Sequence, residues 1–295
     1  MKLLTFKKEN KEQFGVLNES TGDILNVSQL ALNDHPSLPA SILEAIEKGD
    51  QFIMNMKELM EKEDLSAFYE NVDSIEWLSP IPKPQKNIMC VGKNYRDHAI
   101  EMGSEADIPK NVIVFTKAPT TVTSHLSEVE SHSEITNQLD YEGELAVIIG
   151  KKGRSISRDE ALEYVFGYTI INDVTARDIQ KRHNQYFIGK SLDGTCPMGP
   201  WIVHHSAIEN PNQLNIVTKV NDEVRQNSNT KHFIFPVEEI ISVLSKGMTL
   251  EPGDIIATGT PAGVGNGFNP PKFLASGDRI DITVEGIGTL TNVVK

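Results

Sequence analysis

The run Asp140-Tyr141-Glu142-Gly143-Glu144-Leu145-Ala146-Val147-Ile148-Ile149-Gly150 constrains the fold of this chain more than any other segment. It reads as a β-strand carrying two carboxylates two residues apart. Side chains alternate across a strand, so Glu142 and Glu144 share one face and Gly143 takes the other. Two like charges beside an apolar run repel each other, and leaving them unpaired is costly. A divalent cation resolves the conflict, because hard ions such as Mg2+ and Mn2+ take oxygen ligands. The same pair also reads as two acids on a solvated strand edge.

A second β-branched strand, Gly167-Tyr168-Thr169-Ile170-Ile171-Asn172, ends in Asp173. That carboxylate either joins the pair as a third ligand or caps the helix expected after it. Asp178 lies too far along to serve that cap and reads as solvated.

The rest of the chain is mostly strands with few helices. Lys2–Phe6 and Phe14–Leu17 read as a hairpin, and Ser41–Met60 shows helical spacing interrupted by Gly49. A short helix is expected near Tyr95–Gly103, and further helices over Arg158–Val165 and Val237–Leu244. Long helices do not alternate with strands, so a doubly wound parallel sheet is excluded in favour of an α+β, β-rich fold. The proline cluster Pro80-Ile81-Pro82-Lys83-Pro84 divides the chain into a small N-terminal domain (1–80), a linker (81–85) and a catalytic domain (86–295).

At 295 residues and a net charge of −13, the chain is large enough for this layout and too acidic to favour nucleic acid. No segment has the length of a membrane span. Cys90 and Cys196 form no CxxC pair; each reads as a small buried residue of a cytoplasmic protein. The Gly259–Gly267 loop lacks the lysine of a phosphate loop and the GxGxxG spacing of a dinucleotide site.

Other candidates are ambiguous when read alone. His98 and Glu101 share a helix face, where a Glu fixes the imidazole tautomer, though an ordinary surface pair has the same spacing. Lys190 reads either as a solvated lysine or as a cation for a substrate oxygen. Arg177 and Gln180 offer a guanidinium fork and an amide, or a solvated helix face. His125, His132, His183, His204, His205 and His232 read as structural or surface residues. The adjacent pair His204-His205 is expected to face opposite ways on a strand.

Four motifs in order resemble the fumarylacetoacetate hydrolase superfamily: Glu142-Gly143-Glu144, Asn172 through Asp178, Gly189-Lys190-Ser191, and Gly253 through Pro261. With His98 and Glu101, the pattern is most similar to its small acylpyruvase and oxaloacetate decarboxylase branch. The resemblance implies a mixed β-sandwich roll and a homodimer. It implies Mg2+ or Mn2+ on Glu142, Glu144 and Asp173, and catalysis by His98, Glu101 and Lys190. Arg177, Gln180, Lys190 and Thr260 would bind a small anionic 2-oxo acid, with a lesser role for Thr258. No aspartate stands near Val114-Phe115-Thr116-Lys117, where larger members place a further ligand. The implied reaction is C–C bond cleavage through a pyruvate enolate, leaning to oxaloacetate decarboxylation. Acylpyruvate hydrolysis, 2-oxo-dienoate isomerisation or hydration, and a binding protein without catalysis are the alternatives.

Overall fold

A computed structural model describes residues 1–295. The first half contributes β1 (Lys2–Lys8), β2 (Lys11–Leu17), β3 (Ile24–Asn26), α1 (Val27–Asn33), α2 (Ile42–Lys48), α3 (Asp50–Lys62), β4 (Tyr69–Glu70), β5 (Glu76–Trp77), β6 (Ile88–Gly92), α4 (Arg96–Glu101) and β7 (Ile113–Lys117). Next come β8 (Val122–Thr123), β9 (Glu128–Val129), β10 (Leu139–Asp140), β11 (Gly143–Ile149), β12 (Val165–Asn172) and β13 (Thr175–Ala176). The remainder is α5 (Arg177–Arg182), α6 (Phe187–Lys190), β14 (Cys196–His204), β15 (Asn215–Val220), β16 (Glu223–Asn229), α7 (Val237–Ser245), β17 (Ile255–Ala257), β18 (Arg279–Val284) and β19 (Gly288–Val294).

The main sheet runs β4-β3-β2-β1-β14-β12-β11-β17-β6-β7, so the N-terminal hairpin extends the sheet that carries the acidic strand. A five-stranded sheet, β16-β15-β18-β19-β9, lies against one face. Strand β11 shows why the layers stack. Leu145, Val147 and Ile149 enter the core shared with Ile216, Ile280, Ile282 and α7. Ala146 and Ile148 enter a second core with Ile42, Ile46, Phe52 and Met56 of α2 and α3. Burial on both faces explains the unbroken apolar run. The result is the β-rich α+β architecture expected from sequence.

Gly49 does divide α2 from α3, at a positive φ of 58°. The proline-rich segment is packed down: Ile81 is buried, and the Pro80 carbonyl accepts the Thr5 hydroxyl at 2.7 Å. The Arg158–Val165 helix is not found. Only a short 3-10 turn forms at Ala161–Tyr164, and Val165 already belongs to β12. Pairing with β11 decides this, since the Tyr164 carbonyl is held by Gly150 N–H at 2.7 Å. Tertiary pairing here overrides local helix preference.

Asn94 joins the segments that frame the site. Its amide donates to the Phe235 and Thr258 carbonyls at 3.1 and 2.8 Å and accepts Phe235 N–H at 2.8 Å. Asn94→Leu should lower unfolding stability by about 2–4 kcal/mol in urea titrations, because buried partners are left unpaired. An unchanged midpoint would show that this amide does not tie the loops together.

Candidate active site

The register of β11 against β12 builds the acidic cluster. Gly143 pairs with Asn172, so the residues just outside each strand, Glu142 and Asp173, are brought side by side. Asp173 N–H donates to the Glu142 carbonyl at 2.9 Å, and Asn172 Oδ1 accepts Glu142 N–H at 3.0 Å. Glu142 thus precedes the strand, yet it shares a cluster with Glu144 and Asp173. The three offer carboxylate oxygens within 4.8 Å of one another, and all are buried. Gly143 is required between them, because a Cβ there would overlap the Thr218 hydroxyl.

Asp173 is not a helix cap; Ala176 holds that position for α5. Asp178 is not free in solvent either. Its Oδ1 accepts the Thr136 hydroxyl at 2.6 Å and its own helix's Ile179 N–H at 2.9 Å.

Cations converge on the acids. Lys190 Nζ lies 2.7 Å from both Glu142 Oε2 and Asp173 Oδ2. Lys117 Nζ lies 3.0 Å from Asp173 Oδ1. Arg177 reaches Asp140 through Nε at 2.8 Å and Glu142 through Nη2 at 2.6 Å. Sequence reasoning assigned no role to Lys117 or Asp140. The signals available were a lysine closing an apolar strand and a third acid just before the glutamate pair.

Burial alone would raise Glu142, but the Lys190 ammonium and Arg177 guanidinium outweigh it and hold this carboxyl at about 2. Glu144 has no such partner. Burial, then the charges of Asp173 and Glu142, push it well above the usual range, opposed by Lys190 and one Gly259 N–H at 2.8 Å. Burial works against the Lys190 charge, and Asp173 and Glu142 more than restore it.

Four buried carboxylates (Asp140, Glu142, Glu144, Asp173) face three buried cations (Lys117, Lys190, Arg177), and Glu144 is the acid left without a cation of its own. An all-oxygen donor set with one acid lacking a partner fits a hard divalent cation. Asp173 Oδ1 supports this, since it is buried without a hydrogen-bond partner of good geometry. The residues present therefore fit Mg2+ or Mn2+.

A cavity of about 200 Å³ opens over the cluster, lined by Glu142, Glu144, Arg177, Gln180, Lys190 and Thr260. His98 borders it too, 6% exposed, with Nδ1 3.3 Å from Glu101 Oε2. Glu101 Oε1 in turn accepts Gly263 N–H at 2.9 Å. Only glycine suits position 263, where φ is +104° and a Cβ would strike the Arg225 carbonyl. Lys181, unassigned from sequence, also lines the cavity.

Two binding candidates are engaged differently than expected. The Thr260 hydroxyl donates to the Gly143 carbonyl at 3.0 Å and accepts Gln226 Nε2 at 2.7 Å. Its hydroxyl proton is therefore already committed to the backbone. Thr258 spends its hydroxyl on the Leu145 carbonyl at 2.8 Å and does not line the cavity. Arg177 grips Asp140 and Glu142, and its Nη1 donates to Gln180 Oε1 at 3.3 Å, which leaves the Gln180 amide nitrogen free to donate.

Both cysteines are buried free thiols. No helix is long and apolar enough to cross a membrane.

Comparisons with known proteins give the family of the chain. Residues 87–295 match the family model for the C-terminal domain of fumarylacetoacetate (FAA) hydrolase. The chain is 54% identical over 301 residues to oxaloacetate tautomerase YisK of Bacillus subtilis (strain 168), covering 100% of both chains. The structure of a fumarylacetoacetate hydrolase from Exiguobacterium antarcticum aligns with a TM-score of 0.84 at 44% identity, covering 100% of this chain and 99% of that one. A maleylpyruvate hydrolase from Sphingobium sp. SYK-6, solved with manganese(II) and pyruvate, aligns with a TM-score of 0.79 at 27% identity, covering 100% and 98%. Buried acids, facing cations and a bordering histidine thus stand in a chain that belongs to the fumarylacetoacetate hydrolase family.

Proposed function

We propose that this chain acts on a small 2-oxo dicarboxylic acid, oxaloacetate foremost, through its enolate, and that it interconverts the enol and keto forms by moving a proton at C3. The observation that carries this reading is the buried charge cluster facing His98 across one small cavity. The YisK similarity over the whole chain supports oxaloacetate and proton transfer over other substrates and reactions of this kind.

Glu142, Glu144 and Asp173 would hold the divalent cation, which supplies Lewis acidity toward the 2-oxo acid oxygens. Lys190 shares the oxygens of Glu142 and Asp173 and is the cation best placed to turn toward an enolate oxygen. Thr260 N–H and the Gln180 amide would receive a substrate carboxylate. Glu101 fixes the His98 ring, and Nε2 is then the atom that takes or returns the C3 proton. Arg177 keeps Glu142 ionised.

Cleavage is the second reading, favoured by the same histidine–glutamate pair. Loss of a distal carboxylate as CO2 from oxaloacetate gives the pyruvate enolate, which His98 would protonate. With a distal acyl group, His98 would instead activate water for hydrolysis.

We also propose that residues 86–295 carry the chemistry, because every lining residue falls between Val91 and Thr260. Residues 1–80 then form a small N-terminal unit and 81–85 the join. Free buried thiols support a cytoplasmic location. A homodimer is supported by exposed apolar side chains at the sheet edge: Ile113 and Val114 on β7, beside Phe187 and Ile188 on α6. Light scattering should give twice the 32.7 kDa chain mass, and Phe187→Glu with Ile113→Glu should give the single mass. A wild-type monomer would rule the dimer out.

The deciding assay follows loss of the enol's ultraviolet absorbance and release of pyruvate in parallel, with Mg2+ or Mn2+. Enol loss should outpace pyruvate release, and His98→Ala should slow it by about 10²–10⁴-fold. Pyruvate release as fast as enol loss would favour cleavage; turnover of neither form would remove oxaloacetate as substrate. Glu142→Ala or Asp173→Ala should abolish Mg2+-dependent thermal stabilisation. Asp140→Asn removes a charged anchor from Arg177, a loss of about 1.5–3 kcal/mol, and should lower kcat/KM by about 10–100-fold. An Asp140→Asn enzyme with wild-type kcat/KM would show that Arg177 needs no such anchor.

A further inference from the structure

Asp50 and the adjacent pair His204-His205, far from it in sequence, meet where the N-terminal helices touch the main sheet. His204 is the last residue of β14, and His205 opens a 3-10 turn. The turn changes the expected outcome for this pair: the rings do not point to opposite faces but lie 4.2 Å apart, centroid to centroid, tilted by 48°. Both aim at Asp50, the first residue of α3. His204 Nε2 is 3.2 Å and His205 Nε2 3.0 Å from the same Asp50 Oδ1.

His205 has good hydrogen-bond geometry to Asp50, so for it an ordinary side-chain bond suffices. His204 differs. It is 2% exposed, and its Nε2 is buried with no hydrogen-bond partner despite the nearby carboxylate. A buried polar atom aimed at an acid and left unsatisfied calls for an explanation. Its other nitrogen is already placed, with Nδ1 2.9 Å from the Ser206 hydroxyl and accepting Ser206 N–H at 3.3 Å.

We propose that Asp50, His204 and His205 form a second metal site, for a late first-row divalent ion of which Zn2+ is the leading case. Ligands about 2.0–2.1 Å from a tetrahedral metal stand roughly 3.3 Å apart. Two of the three ligand separations, 3.0 and 3.2 Å, are close to that spacing, and the third lies within 4.8 Å. Two imidazoles and a carboxylate suit zinc, copper or nickel, whereas the all-oxygen catalytic cluster suits magnesium or manganese. Nε2 becomes the donor to the ion once Nδ1 carries the proton and gives it to the Ser206 hydroxyl, in exchange for the Ser206 N–H that it accepts without the ion. The fourth position is open to water on the side of the exposed Asp50 and half-exposed His205. The Met1 amine and Lys151 are the nearby positive charges, and the amine charge is itself weakened by burial.

Such an ion ties α3 to β14 across 155 residues of chain. The role that follows is structural: a clip between the N-terminal helices and the sheet, independent of the reaction proposed above.

The test uses chelator-stripped full-length protein in excess Mg2+, which occupies the all-oxygen cluster. Zn2+ is titrated against a chromophoric chelator, and thermal unfolding is followed in parallel. Wild type should bind Zn2+ with a rise in midpoint, and its X-ray absorption spectrum should show imidazole ligation. Asp50→Asn, at an exposed position, and His205→Ala, at a half-exposed one, should each weaken binding by at least about tenfold and remove the thermal shift. His204→Ala tests the buried ligand directly, and the other two variants stand should it misfold. Zn2+ affinity and thermal shift unchanged in Asp50→Asn and His205→Ala would overturn the site, as would failure of wild type to bind Zn2+ more tightly than millimolar.

Discussion

Charge balance at the ends of β11 and β12 sets the terms for the rest of the molecule. Four carboxylates lie in a region that water barely reaches, and isolated burial of even one ionised acid is prohibitive. The fold meets this by bringing in Lys117 from β7, Arg177 from α5 and Lys190 from α6. Those elements come from different parts of the chain, so the cluster acts as a convergence point as well as a site. Breaking one buried pair leaves an uncompensated charge, which is far more disruptive than losing a surface pair. The one acid left without a cation, Glu144, keeps the cluster receptive to a cation.

The backbone around the cluster is correspondingly fixed. Asp140 accepts the Gly265 and Asn266 N–H groups at 2.6 and 3.0 Å while holding Arg177. One buried carboxylate thus positions both a charged side chain and the glycine-rich loop. Thr260 and Gln226 continue this framework, joining that loop to Gly143 and to the second sheet. Rigid support of this kind holds reacting groups near their productive geometry.

Much of this was legible in the sequence because it is local. Continuous apolar, β-branched runs gave β11 and β12, and the three acids stood at their ends. Gly49 marked the break between α2 and α3. What could not be read locally depended on distant partners. Arg158–Val165 has a composition compatible with a helix, but Tyr164 is captured by Gly150 across the sheet. Lys117 resembles any strand-terminal lysine until the fold buries it against Asp173. His204 and His205 converge because the strand stops between them, a boundary that side-chain chemistry does not announce.

Glu101 carries a consequence for how parts of the site communicate. One of its oxygens orients His98, and the other holds the Gly263 amide of a loop more than a hundred residues away. A single carboxylate thus spans α4 and the glycine-rich loop. A change in the backbone at Gly263 reaches the imidazole through two hydrogen bonds, without any contact between the loop and the ring itself.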